Sequence, residues 1–117
     1  VAMATAGLLP RIMGFGPAPA VKKVLAQTGL TLDQMDVIEL NEAFAAQVIA
    51  CHRQMPFDMS RLNVHGGAIA LGHPIGASGT KILTTLIYSL KQQGKSLGLA
   101  SACIGGGQGV AMIVKLI

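Results

Sequence analysis

Apolar residues recur along the chain with two different spacings, and these spacings predict alternating helices and strands. The clearest helical pattern covers residues 78–93, where one face collects the apolar side chains of Ile82, Leu83, Leu86, Ile87 and Leu90. A second helix is predicted from Pro17 or Pro19, since proline suits a first helical turn, up to Gly29. A third is predicted to begin at Asn41, a good capping residue, and to run to about residue 54.

Short apolar runs between these helices predict strands. The runs cover residues 1–6, 37–40, 96–102 and 109–116, and a glycine-rich loop is predicted over residues 63–80. Helices that alternate with strands are typical of an α/β layer. A tight glycine turn beginning at Cys103 would join the last two strands as a hairpin, so we expect a mixed rather than a purely parallel sheet.

The composition is apolar for a chain of 117 residues: 51% of its residues are hydrophobic and only 12% are charged. A large partner interface would explain this, and so would a chain that is one part of a larger subunit with some of its surface covered. We favour the second interpretation, because the sequence starts at Val1 without a methionine or signal peptide.

Charge and cysteine content narrow the function classes. The nine Lys and Arg residues, which give a net charge of +4, are scattered, and aromatic residues make up 3% of the chain, so no nucleic-acid partner is predicted. Cys51 and Cys103 form neither a disulfide framework nor a metal spacing, so we predict no metal and a reducing, cytoplasmic location. Two long stretches, residues 62–80 and 96–114, contain no Asp, Glu, Lys or Arg. Both are broken by glycines, so no membrane association is expected.

His73 is the first candidate for chemistry. It lies between Gly72 and Pro74 in the glycine-rich loop, directly before the N-terminus of a predicted helix. This setting suits an imidazole that moves a proton or stabilises an oxyanion. On local evidence a loop histidine satisfied by backbone groups is an equally good interpretation.

Cys103 is the second candidate, because it ends an apolar strand and is followed by glycines at 105, 106, 107 and 109. Backbone N–H groups of such a turn can bind an oxyanion, and a thiolate can act as a base or nucleophile. A small buried side chain before a hairpin is the plain alternative. Asn41 follows a predicted strand, where ligands often bind, but a simple helix cap explains it better locally, and Glu42 is interpreted as a first-turn charge.

Three segments, taken together and in this order, closely resemble the thiolase family over nearly the whole chain. They are NEAF at residues 41–44, GGAIALGHPIGASG at residues 66–79, and CIGGGQG at residues 103–109. The resemblance implies a thiolase-like layered fold, with a mixed five-stranded sheet and helices forming one βαβαβαββ half. Residues 1–117 would be the C-terminal domain of a larger subunit whose N-terminal half is missing here.

The resemblance also implies roles for the matching residues. His73 would activate a nucleophilic cysteine and contribute to an oxyanion hole, Cys103 would exchange a proton with the acyl-CoA, and Asn41 would hold a water in that oxyanion hole. The backbone N–H of Gly105 would bind the acyl-enzyme carbonyl, and Ala43 and Phe44 would line the substrate pocket. Coenzyme A enters as a substrate, and no other cofactor is implied.

The family nucleophile is a different cysteine in the N-terminal half, and Cys51, in the middle of a predicted helix, cannot replace it. We therefore expect a Claisen-type acyltransferase that condenses two acetyl-CoA or cleaves a 3-oxoacyl-CoA, with this chain inactive alone. The implied partners are acyl-CoA, the N-terminal half, and further copies in a homodimer or homotetramer.

Two alternatives remain open from the sequence. One is a non-catalytic CoA-binding or oligomerisation domain with a relic site, and the other is a related condensing enzyme such as a 3-oxoacyl synthase. Acyl chain length, the physiological direction of the reaction and organelle targeting are not encoded in these residues.

Overall fold

The computed structural model describes all 117 residues, which form a mixed four-stranded sheet with helices on both faces. The strands are β1 (Ala2–Gly7), β2 (Val37–Leu40), β3 (Leu97–Ile104) and β4 (Gln108–Lys115). The helices are α1 (Pro17–Thr28), α2 (Ala45–Gln54), α3 (Ala68–Leu71) and α4 (Ser78–Gln93). Short 3-10 helices cover Pro10–Phe15, Leu32–Gln34 and Met59–Arg61.

The strand order is β1-β4-β3-β2, in which β3 pairs antiparallel with β4 and parallel with β2. The predicted mixed sheet and hairpin are therefore confirmed, but the expectation of five strands is wrong, because the sheet has four. In the long connection from α2 to α4, only Leu62 makes a parallel bridge, to Ile38 of β2. The connection turns immediately afterwards at Asn63, whose φ of 45° ends any extended run.

Each face of the sheet has its own core because side chains alternate along every strand. One face packs against α1 and α2 in a cluster of 13 buried residues that includes Leu99 and Ile113. The other packs against α4 in a cluster of six that includes Ala100, Leu86 and Leu90. Strand β2 is buried on both sides, and its end is therefore a rigid place from which to present a functional side chain.

Helix boundaries follow the sequence signals with one informative exception. Helix α1 begins at Pro17 and ends at Gly29, whose φ of 69° closes it, and α4 covers the predicted residues 78–93. Helix α2 begins at Ala45, however, so Asn41 does not cap it. The backbone of Phe44 is still extended there, which leaves the side chain of Asn41 available for another partner.

A close backbone contact fixes the β3–β4 hairpin above the start of α1. A Cβ atom on Gly109 would overlap the carbonyl oxygen of Gly16, and one on Gly16 would overlap the carbonyl of Gln108. Only glycine fits at both positions, so these two residues set how closely the start of β4 approaches the start of α1. None of the helices is long and apolar enough to cross a membrane.

Candidate active site

A cavity of about 540 Å³ opens at the end of β2, between the β3–β4 turn and the loop that precedes α4. All six residues singled out from the sequence line it: Asn41, Ala43, Phe44, His73, Cys103 and Gly105. They come from three segments far apart in the chain, and the fold brings them together. A cavity of about 570 Å³ beside α1 is mostly apolar and contains no histidine, cysteine or carboxylate. We therefore take the cavity at the end of β2 as the candidate active site.

Asn41 is the most buried polar residue of this cavity, with 2% of its surface exposed. Its backbone N–H donates to Ser101 O at 2.9 Å, which continues the pairing of β2 with β3 and fixes the main chain. The side-chain Nδ2 lies 3.4 Å from Nε2 of His73, and Oδ1 is buried without a protein partner. A buried amide oxygen without a partner is costly, so it suits a ligand or a water.

His73 sits in the loop between α3 and α4, and its ring is held from both sides. Nδ1 lies 2.6 Å from Oγ of Ser78, and that hydroxyl donates to Pro74 O at 3.0 Å. A hydroxyl has a single hydrogen, and with that hydrogen donated to Pro74 O we assign Ser78 as the acceptor of an Nδ1–H. This network assigns the neutral ring a proton on Nδ1 and leaves Nε2 as a proton acceptor beside Asn41.

Cys103 is half-buried near the end of β3, where it pairs with Gly109. The strand continues through Ile104, so the turn comprises residues 105–107 and does not begin at Cys103 as predicted. Burial raises the pKa of the Cys103 thiol above its ordinary value. The group therefore holds its proton at neutral pH, and its thiolate, once formed, is a strong base.

The remaining lining residues leave room for a ligand. Gly105 opens the turn, and no atom lies within 4 Å of the position where its Cβ would be. Gly106 and Gly107, with φ of 89° and 92°, complete the turn. Phe44 and Ile75 are 61% and 87% exposed, so they present apolar surface at the cavity.

Cys51 lies outside this cavity, in the core between α1 and α2. It is fully buried, and its Sγ lies 3.7 Å from Gly14 O and 3.9 Å from Nε2 of Gln47. Desolvation raises the pKa of the Cys51 thiol. The residue therefore behaves as a packed core side chain, and the expectation that it cannot act as the nucleophile agrees with its location.

Sequence reasoning missed Ser78 and Met13 as members of this site. Ser78 lies within the recognised glycine-rich segment, five residues after His73 and at the first position of α4, and this spacing was the available signal. Met13 carried no signal, because it reaches the cavity from a 3-10 helix that the sequence pattern did not predict. No group of three or more His, Cys, Asp or Glu side chains is placed to hold a metal ion.

Comparisons with known proteins agree with this geometry. The family model described as "Thiolase, C-terminal domain" matches residues 1–116. The chain is 58% identical to a beta-ketoadipyl-CoA thiolase of Acinetobacter baylyi, covering 100% of this chain and 30% of that protein. It is 54% identical to an acetyl-CoA acetyltransferase of Escherichia coli, covering 96% of this chain and 28% of that protein.

Solved structures match equally well. The acetyl-CoA acetyltransferase of Bacillus anthracis superposes with a TM-score of 0.97 at 44% identity, over 98% of this chain and 29% of that one. Human mitochondrial 3-ketoacyl-CoA thiolase in complex with CoA also gives 0.97, at 48% identity, over 100% and 30% of the two chains. This chain thus spans less than a third of the length of these relatives.

Proposed function

This chain belongs to the thiolase family, and from that premise we propose that it is the C-terminal part of a longer subunit that performs thiolase chemistry. The subunit would condense two acetyl-CoA molecules to acetoacetyl-CoA, or cleave a 3-oxoacyl-CoA with CoA. The observation that carries this proposal is the convergence of Asn41, His73, Cys103 and Gly105 on one cavity. These are the residue types that proton transfer and oxyanion binding require.

The first step we assign to His73 is activation of a nucleophilic thiol supplied by the N-terminal half. Nε2 faces the cavity as a proton acceptor because Nδ1–H is held by Ser78. The activated sulfur attacks the thioester carbonyl, and CoA leaves as a thiolate, which then takes the proton of the Cys103 thiol and leaves Cys103 as a thiolate. The backbone N–H of Gly105, in the open turn, is our candidate donor to the carbonyl oxygen of the acyl-enzyme.

The second step we assign to Cys103, whose thiolate removes a proton from the α-carbon of the incoming acetyl-CoA. The resulting enolate attacks the acyl-enzyme carbonyl, a carbon–carbon bond forms, and the nucleophilic sulfur is released. Negative charge on the enolate oxygen would be stabilised by a protonated Nε2 of His73 and a water held by Asn41. In cleavage the raised pKa of the Cys103 thiol suits it to return the proton.

We propose that this chain does not turn over alone. Its only other thiol, Cys51, is buried in the α1–α2 core, so no nucleophile reaches the cavity from these residues. The partners we propose are acyl-CoA, the N-terminal half and identical copies in a homodimer or homotetramer. Two cysteines outside any disulfide favour a reducing location, and we propose the cytoplasm.

The test is thiolysis of acetoacetyl-CoA, followed by loss of the enolate absorbance, with the complete subunit and with this chain alone. We expect turnover only by the subunit, and a loss of about two to three powers of ten in kcat for His73→Ala. His65→Ala is the matched control, since that exposed loop histidine lines none of the cavities described above. Normal activity of His73→Ala would remove His73 from the mechanism, whereas CoA binding by the subunit without turnover would favour a relic site.

A further inference from the structure

The carboxylate of Glu42 joins two segments that are distant in sequence. Glu42 was expected as a first-turn charge of a helix, but α2 begins only at Ala45, and the side chain points elsewhere. Its Oε1 accepts from Nδ2 of Asn63 at 2.8 Å, and its Oε2 accepts from the backbone N–H of Ile69 at 2.9 Å. Both oxygens therefore have partners: Asn63 lies before α3, and Ile69 lies within it.

Asn63 in turn is fastened to the free edge of β2. Its backbone N–H donates to Ile38 O at 2.8 Å. Its side-chain amide accepts from the N–H of Leu40 and donates to the C=O of Leu40, each at 2.9 Å. One amide thus does for Leu40 what a neighbouring strand would do, and it is 8% exposed. Leu40, the residue that the Asn63 side chain holds, immediately precedes Asn41.

Few residues separate this contact between Asn63 and Leu40 from His73. A Cβ on Gly67 would overlap the carboxylate of Glu42, so the loop backbone lies directly against it. Ile69, whose N–H the carboxylate holds, belongs to α3, which ends at Gly72, the residue before His73. The strand end that carries Asn41 and the short helix that leads to His73 are therefore held together by one side chain.

We propose that Glu42 and Asn63 form a clamp that positions His73 against Asn41. This inference rests on the function proposed above, and it makes Glu42 a positioning residue, since it does not line the cavity. The clamp holds the loop on the side of β2, while Ser78 holds the ring from α4. These two attachments lie on opposite sides of His73 in the chain, and together they set the separation of Nε2 from the Asn41 amide.

The first test is Glu42→Gln in the complete subunit. An amide can accept from only one of the two donors, because its –NH2 group then faces the other. We expect kcat to fall about 10- to 100-fold, since small displacements of reacting groups have effects of this size. We expect KM to stay within about twofold, because the residues that line the cavity are unchanged. Glu42→Asp, which keeps the charge but shortens the reach, should change kcat in the same direction.

An exchange of the two groups tests the contact itself. Asn63→Asp alone sets a carboxylate against Glu42 and should lower kcat more than Glu42→Gln does. In the double variant Glu42→Gln with Asn63→Asp, the new amide at position 42 donates to the new carboxylate at position 63. Its kcat should recover above that of Asn63→Asp alone. Asp58→Asn is the matched control, because that carboxylate also accepts a backbone N–H, from Ser60, but has no link to His73.

A second readout does not depend on turnover. In subunits labelled at histidine, the ring nitrogen resonances of His73 should move in Glu42→Gln, while those of His52, which lies on α2 outside the loop that Glu42 holds, should stay in place. If the wild-type subunit has no activity, the proposed function fails, but these resonances still test the clamp. Unchanged kcat together with unmoved His73 signals would overturn it. An equal movement of His52 would also overturn it, since that would indicate a general loss of structure.

Discussion

The hydroxyl of Ser78 lies 2.6 Å from Nδ1 of His73 and donates a hydrogen bond to Pro74 O. With the tautomer assigned from this network, Nδ1 carries the proton and donates it to the first turn of α4. Because Nδ1 is the donor, Nε2 presents a lone pair to the cavity, as a general base must. We therefore expect the identity of the residue five positions after the histidine to affect the proposed chemistry.

Replacing Ser78 with alanine should uncouple the ring from α4. Without the acceptor, the Nδ1–H is unpaired, and we expect kcat to fall on the order of 10-fold, the value of about one hydrogen bond. The measurement is thiolysis by the complete subunit with kcat and KM separated. Ser89→Ala is the control, because this buried serine of the same helix makes no hydrogen bond through its Oγ. An equal loss of activity in both variants would mean that α4 packing, not the tautomer, is responsible.

Replacing Cys103 with alanine should separate the two half-reactions. In the proposed mechanism acylation needs His73 but not Cys103, so the acyl-enzyme should still form. Exchange of the α-protons of acetyl-CoA with deuterated water should fall by about 10²- to 10⁴-fold, the usual value of a general base. Mass spectrometry measures both reactions. Cys51→Ala, at the buried cysteine outside the cavity, should leave the exchange rate intact.

Glu39 makes the stability depend on pH. This carboxyl is 2% exposed, and its Oε1 has no hydrogen-bond partner. Its pKa is raised from 4.5 to about 7, chiefly by burial and also by the negative charge of Glu42, while the positive charge of Lys81 opposes the rise. Because the folded pKa is above the unfolded one, the contribution to stability is complete below pH 4.5 and is lost as the pH rises through 7.

Glu39→Gln should therefore stabilise the fold at pH 8, by about 1–3 kcal/mol, and change little at pH 4. Thermal unfolding at the two pH values measures this. Asp33→Asn, at an exposed carboxylate, is the control and should show no such difference between pH 4 and pH 8. A Glu39→Gln variant that is less stable at pH 8 would mean that the carboxylate has a favourable partner in solution.

Gly109→Ala should destabilise the protein by about 1–3 kcal/mol, the usual range for overpacking, because its Cβ would overlap the carbonyl of Gly16. Gly105→Ala in the same hairpin is the control for stability, since no atom lies near the Cβ position there. Chemical denaturation compares the two. Equal stability of both variants would contradict the close approach of β4 to the start of α1.

Much of the local structure could be predicted from the sequence. The stripe of Ile82, Leu86 and Leu90 placed α4 correctly, because an amphipathic period and a C-terminal glycine are both local signals. The hairpin that follows Cys103 was predicted for the same reason, with an error of two residues in where the turn begins. Element boundaries shift by this much because pairing across the sheet, not propensity, decides where a strand ends.

The predictions that failed depend on contacts between distant segments. The fifth strand is missing because Asn63 turns the chain after a single bridge and uses its side chain to cover the edge of β2. Asn41 does not cap α2, because the helix begins only at Ala45, and its amide lies beside His73. From the sequence alone, it cannot be decided whether an asparagine caps a nearby helix or contacts a side chain that is distant in the chain.

By itself the sequence determined the thiolase family, the order of the elements and six residues that line the cavity, because motifs and periodicity are properties of the chain order. Only the tertiary structure decided which ring nitrogen of His73 faces the cavity, and that Glu42 reaches Asn63 and the N–H of Ile69. These facts depend on distances of about 3 Å between residues many positions apart. The packing of α3 and α4 against the sheet sets those distances, and no local pattern contains them.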